Sequence, residues 1–164
     1  MALLANQNII KFTHHRSDTW ANRSSTSMGE IHTNFRMTVT PVRSDSIIII
    51  DYQVPSQRVT EHALNFHNIY NVTAGNYPNE PYNSGQTRTR THCPSRGQYN
   101  GDNAVMHCIR ASLPSWGTTA AIFTLHSMSY SNNTTRHNHS NGASNATVHW
   151  NSHLFAYAYE LEDI

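Results

Sequence analysis

GEIHTNFRMTVT (29–40), PVRSDS (41–46) and IIIIDYQV (47–54) together decide the fold. In the first segment Ile31, Thr33, Phe35, Met37 and Val39 alternate with His32, Asn34, Arg36, Thr38 and Thr40. That period of two predicts a half-buried strand over 31–40. Pro41 cannot donate to a sheet ladder, and Asp45 and Ser46 favour a turn, so the chain breaks there. Ile47–Ile50 is apolar at consecutive positions, as a strand deep in a sandwich would be. The stretch assigns the chain to the all-β class and excludes Rossmann-type and helical folds.

Working outward, about nine strands are expected and no helix. Asn8–Thr13 reads as a short first strand, and Arg16–Met28 as a polar connector carrying Trp20. His62–Val72 alternates Leu64, Phe66 and Tyr70 with His67 and Ile69. A long loop at Thr73–Gly85 is rich in Gly, Pro, Asn and Tyr, and loops of that length usually carry function. Gln86–His92 alternates Thr with Arg88 and Arg90. Ala104–Ala111 and Thr118–Tyr130 flank the turn LPSWG. Ser131–Ser144 is a polar tip, and Ala146–Asn151 and His153–Glu160 close one domain spanning 1–164. The last strand alternates Leu154, Ala156 and Ala158 with Phe155, Tyr157 and Tyr159.

Bulk composition narrows the function classes. The chain has 164 residues, a formal net charge of +1 and 13% charged residues, against roughly 25% in ordinary soluble domains. Such a balance makes no strong field for nucleic acid or an anionic membrane. No run approaches the ~18 apolar residues of a membrane helix, and the N-terminus lacks the basic region of a secretion signal. An unexported chain without membrane insertion is the expectation. Asn100-Gly101 is a strong type I′ hairpin signal, and its register would set Cys93 opposite Cys108. A Cα separation of about 5.5 Å at such a pair admits a disulfide, while an unexported chain favours two reduced thiols.

The order of these elements resembles small β-jelly-roll virion proteins of tailed bacteriophages, marine and cyanobacterial phages in particular. The resemblance is carried by the strand ending in TVTP (38–41), the Ser/Asp turn and Ile run, LNFHNIYN (64–71), RTRTH (88–92), ASLPSWGTTAAIFTLHSMSY (111–130), the Asn/Ser/Gly tip, and a last strand ending in Glu160. It covers roughly residues 28–162. It implies an antiparallel β-sandwich of jelly-roll type, a homotrimer, and location in the virion after assembly in the host cytoplasm. The function it implies is a tail-fibre or tail-tip adhesion head that contacts other virion proteins and a host surface glycan or protein. A capsid decoration protein is the second reading, and a polysaccharide-degrading tailspike enzyme the third.

Few motifs carry chemistry. No G-x-S-x-G, H-E-x-x-H, P-loop or G-x-G-x-x-G is present, and a catalytic role is not expected. Glu160 and Glu162 share a strand face, but near a chain end they suit a solvated edge or subunit contact better than a glycosidase cleft. The candidate binding residues are Tyr77 and Tyr82 in the long loop and Trp116 in LPSWG, because their rings offer flat apolar faces with a polar edge. His137 and His139, two residues apart, could point together and supply imidazoles to a metal on a threefold axis. Asn138, Ser140, Asn141 and Gly142 read instead as a turn with solvated histidines, so no metal or other cofactor is assigned.

Overall fold

The computed structural model describes residues 8–58, 65–78, 93–95, 105–129, 134–138 and 153–162. Eleven strands lie within them: β1 (Ile9–Ser17), β2 (Ala21–Arg23), β3 (Gly29–Glu30), β4 (Met37–Val39), β5 (Ile47–Arg58), β6 (Asn65–Asn71), β7 (Cys93–Ser95), β8 (Val105–Pro114), β9 (Ala121–Ser129), β10 (Thr135–His137) and β11 (Leu154–Leu161). All pairings are antiparallel, in two sheets, consistent with a β-sandwich. The strand signals at 86–92 and 146–151, the hairpin signal at 100–101 and most of the polar tip lie outside the described residues.

The first sheet is organised around β5. One edge of β5 pairs with β8 from Ile47 to Ser56. The other pairs with β11 from Ile47 to Gln53 and then with β10 from Ser56 to Arg58. Beyond these lie β1, beside β11, and β2, beside β10. In the second sheet β9 takes β3 and β4 along one edge and β6 along the other, with β7 outside β6.

The Ile run behaves as its pattern demands. Ile48, Ile50, Tyr52 and Val54 are fully buried between the sheets, whereas Ile47 and Ile49 are half-buried on the outer face. Facing them, Phe35, Met37, Val39, Ile69, Phe123 and Leu125 complete the apolar layer. Tyr52 places its hydroxyl in this layer, 2.8 Å from the Phe123 carbonyl on β9 and 3.1 Å from the Phe35 carbonyl. Burial pushes the Tyr52 phenol well up, so it stays protonated and donates. One side chain of the first sheet is thereby tied to the backbone of the second.

The connector expected over Arg16–Met28 instead holds the end of β1 and all of β2, and two further expectations are corrected. The strand expected over 31–40 is broken by a 3-10 turn at Thr33–Phe35. His32 causes the break: its Nδ1 accepts from the Asn34 N–H at 3.0 Å, offering the backbone a local partner in place of a ladder. The burial pattern survives at Ile31, Phe35, Met37 and Val39, all inward, but not at Thr33, which the turn leaves exposed. The second correction concerns the cysteines. Cys93 pairs with His67 in the second sheet, while Cys108 pairs with Gln53 in the first and is a free, exposed thiol. Because β7 and β8 belong to different sheets, the two are not opposed across a hairpin.

Replacing Tyr52 by Phe removes the inter-sheet donor with little change of volume. The expected loss is about 1–2 kcal/mol in urea unfolding with an unchanged denaturant slope. A neutral effect would show that the hydroxyl does not hold the sheets.

Candidate functional site

Side chains alternate across each strand, so every second residue of the four paired strands β1, β11, β5 and β8 reaches the outer face of the first sheet. Their registers arrange these residues in rows. Arg16, Phe155, Gln53 and Cys108 form one row; His14, Tyr157, Asp51 and Arg110 the next; Phe12, Tyr159, Ile49 and Ser112 the third. The inward positions of β11 are Leu154, Ala156 and Ala158, all buried. This strand thus buries mostly small side chains and turns its half-buried rings to the outer face.

The rings form one continuous surface. Phe155 and Tyr157 lie parallel with centroids 6.3 Å apart and planes at 6°, and Tyr157 and Tyr159 follow at 6.5 Å and 32°. Phe12, 51% exposed, sits 5.9 Å from Tyr157 and 5.2 Å from Tyr159, and His14 stacks on Phe12 at 6.1 Å. Beside Tyr157, Arg110 donates two hydrogen bonds of 2.6 Å to the Asp51 carboxylate, a bidentate pair held rigidly on the sheet. At the other end Arg16 donates to the His153 ring at 2.8 Å and to Asp18 at 3.0 Å. A flat ladder of rings flanked by fixed donors and acceptors can stack against the apolar face of a flat ligand and hydrogen-bond its rim.

The candidates named from sequence lie elsewhere. Tyr77 packs on the outer face of the second sheet, with its hydroxyl 2.9 Å from His126 Nδ1 and its ring edge-on to Tyr70 at 4.9 Å. Trp116 lies against the core on Phe123 at 5.3 Å and donates from Nε1 to the Thr119 carbonyl. The two are anchored on different neighbours, and Tyr82 lies outside the described residues. His139 also lies outside them. His137 is not on a solvated tip: it is fully buried on β10, and its Nε2 is 3.1 Å from His67 Nε2. Asn138, whose φ of 59° ends the strand, is buried as well and donates to the Ser17 and Thr19 carbonyls. Among the described residues no group of three or more His, Cys, Asp or Glu side chains is placed to hold a metal ion.

The Glu160–Glu162 pair is also accounted for. Glu160 is buried, not a solvated edge: its carboxylate accepts from the Val42 and Arg43 N–H groups and from Ser46 Oγ at 2.8–3.0 Å. Burial pushes this carboxyl up, but those three donors outweigh it and hold it below the ordinary value. Glu162 pairs with Arg43 at 2.9 Å. Both close the 41–46 loop over the end of β11.

The ring ladder was missed in sequence because Phe155, Tyr157 and Tyr159 read as one face of an apolar strand. The signal lay in the contrast with Ala156 and Ala158, which are too small to be the exposed side of a strand whose rings point inward. The chain matches no protein-family model and no curated protein.

Glu160→Gln weakens the loop closure, with an expected loss of about 2–3 kcal/mol in urea unfolding at pH 7. A depressed carboxyl contributes stability that is present above the ordinary value of 4.5 and lost as the pH falls through the folded value. The gap between wild type and variant should therefore narrow below that pH. A gap that stays constant to pH 3 would show that the charge of Glu160 is not what closes the loop.

Proposed function

We propose that this chain is a virion structural protein of a tailed bacteriophage, an adhesion head that binds host surface glycan with the ring ladder of β1 and β11. The observation that carries the reading is the outward placement of Phe12, Phe155, Tyr157 and Tyr159 in one stacked surface beside the Asp51–Arg110 pair. Pyranose rings have apolar C–H faces that pack on aromatic planes, and their equatorial hydroxyls meet charged and amide groups at the rim. Gln53, Asp51, Arg110 and His14 occupy those rim positions.

The pairing order supports a jelly-roll reading of the sandwich. The chain is nested on itself: β1 pairs with β11, β4 with β9, β5 with β8, and β6 with β7. A long antiparallel hairpin rolled into two sheets has this order. Together with the resemblance along 28–162, it favours a virion head. The reading includes a homotrimer, in which three shallow faces act together; multivalency raises the avidity of individually weak sites by about 10²–10⁴ when the spacing matches the ligand. Light scattering of the purified protein at micromolar concentration should give three times the 18.6 kDa chain mass. A monomer would remove the trimer from the proposal.

The site is tested by binding of the purified protein to immobilised host-envelope polysaccharide. Tyr157→Ala and Tyr159→Ala should each weaken binding about tenfold, the size of one lost ring contact, and cost about 1 kcal/mol in unfolding free energy through the lost cross-strand ring pairs, so that both proteins remain folded in the binding assay. Binding that survives both substitutions would place the ligand elsewhere. Absence of binding in the wild type as well would overturn the glycan reading.

A further inference from the structure

One end of the sandwich is closed by imidazoles rather than hydrocarbon. His67 on β6 comes from the second sheet, and His107 on β8 and His137 on β10 come from the first. The His67 ring stacks on His107 with centroids 4.9 Å apart and meets His137 edge-on at 5.3 Å. All three are buried. The His67 and His137 Nε2 atoms are 3.1 Å apart, a hydrogen bond for which only one ring supplies the proton. The accepting ring must then carry its own proton on Nδ1, and neither Nδ1 has a partner. One added proton leaves this hydrogen bond intact but puts a charge into the buried cluster, and a second removes the acceptor nitrogen between the two rings.

Among the described residues the surroundings offer no counter-charge. His67 has Ser127 beside it on β9 and Cys93 on β7. His137 lies between Ser56 on β5 and Ala21 on β2, with Arg58 the register partner of Thr135. His107 lies beside Val54 on β5. The charged group that bears on the cluster is Arg23 on β2, a cation, which opposes protonation of His137. Among the described residues no carboxylate acts on any of the three rings. A proton added here is a buried, unpaired charge beside a second imidazole, and separating the sheets is the way to hydrate it.

We propose that His67, His107 and His137 form an acid-released latch: neutral, they hold β6 against β8 and β10; protonated, they open this end of the sandwich. The sign follows from the direction of the shifts. Burial, then the neighbouring imidazoles, holds His67 well below the ordinary 6.5; burial lowers His137 to about 3 and His107 to about 4. The open state therefore binds more protons than the closed one below pH 6.5. The latch is fully closed above that pH, and each ring raises the opening constant by up to about tenfold per pH unit as the pH falls further. His126, on the outer face of the second sheet, is lowered to about 4 by burial as well, but it stacks on Tyr70 and takes no part in joining the sheets.

Amide hydrogen exchange of the wild-type protein, corrected for intrinsic rates, tests the latch between pH 7 and pH 5. Amides of β6 and β10 should lose protection by 10²-fold or more, ahead of those of β1 and β11. His107→Phe, which keeps a ring in the stack but removes one titrating group, should reduce that loss by about tenfold per pH unit. Protection that is unchanged, or that falls equally in all strands, would overturn the proposal, the latter because only global unfolding would be sensed. A stoichiometric transition metal in the purified protein, by elemental analysis, would also overturn it, since His67 and His137 would then be ligands rather than a latch.

Discussion

The constraint on which the molecule depends is that β5 must satisfy neighbours on both edges and both faces at once. Of its twelve residues, ten pair with β8 on one side and ten with β11 or β10 on the other. A shift of one residue would turn Ile48, Ile50, Tyr52 and Val54 to the outside and bring Asp51 and Gln53 into the core. The same shift would carry Asp51 away from Arg110 and break the rows of the outer face. The register of β5 thus fixes the inter-sheet layer and the outer ladder together. Tyr52 reinforces it, because its hydroxyl finds the Phe123 carbonyl only in this register.

The interface between the sheets is not uniform along its length. Its middle is hydrocarbon around Ile48, Ile50, Phe35 and Phe123, with one internal donor in Tyr52. Its end toward β10 holds His67, His107, His137, Ser56 and Ser129, several of them with buried polar atoms lacking partners. Apolar contacts keep their strength across the pH range, whereas a proton on a buried imidazole brings a charge that burial penalises. Cohesion between the sheets is therefore conditional at one end and unconditional in the middle.

What could be read from the sequence was the local pattern. The Ile run, the inward series Ile31, Phe35, Met37 and Val39, and the alternation of 154–159 are each set by side chains a few residues apart. What could not be read was the pairing of distant strands. Asn100-Gly101 suggested a fold-back between residues 93 and 108, yet Cys93 and Cys108 lie in different sheets, and the chain folds back between β6 and β7. A turn signal reports backbone preference over two residues and says nothing about which sheet the next strand enters. His67 and His137 are 70 residues apart, so nothing local could pair them. His137 was misplaced on the tip because the turn residues after it were allowed to speak for it.

The ladder on β11 is a different kind of feature, because packing does not require it. The inward side of this strand is filled by Leu154, Ala156 and Ala158, which leave room for Tyr52 and the rings of the opposite sheet. The outward side could carry Thr or Ser at no cost to that layer, and strand propensity would be met by any β-branched residue. Three outward, half-buried aromatics on one strand, with the exposed Phe12 added from its neighbour, instead form a row of rings on the outer face. A buried ring explains itself through the core; this row of half-buried rings, bordered by the Asp51–Arg110 ion pair, does not.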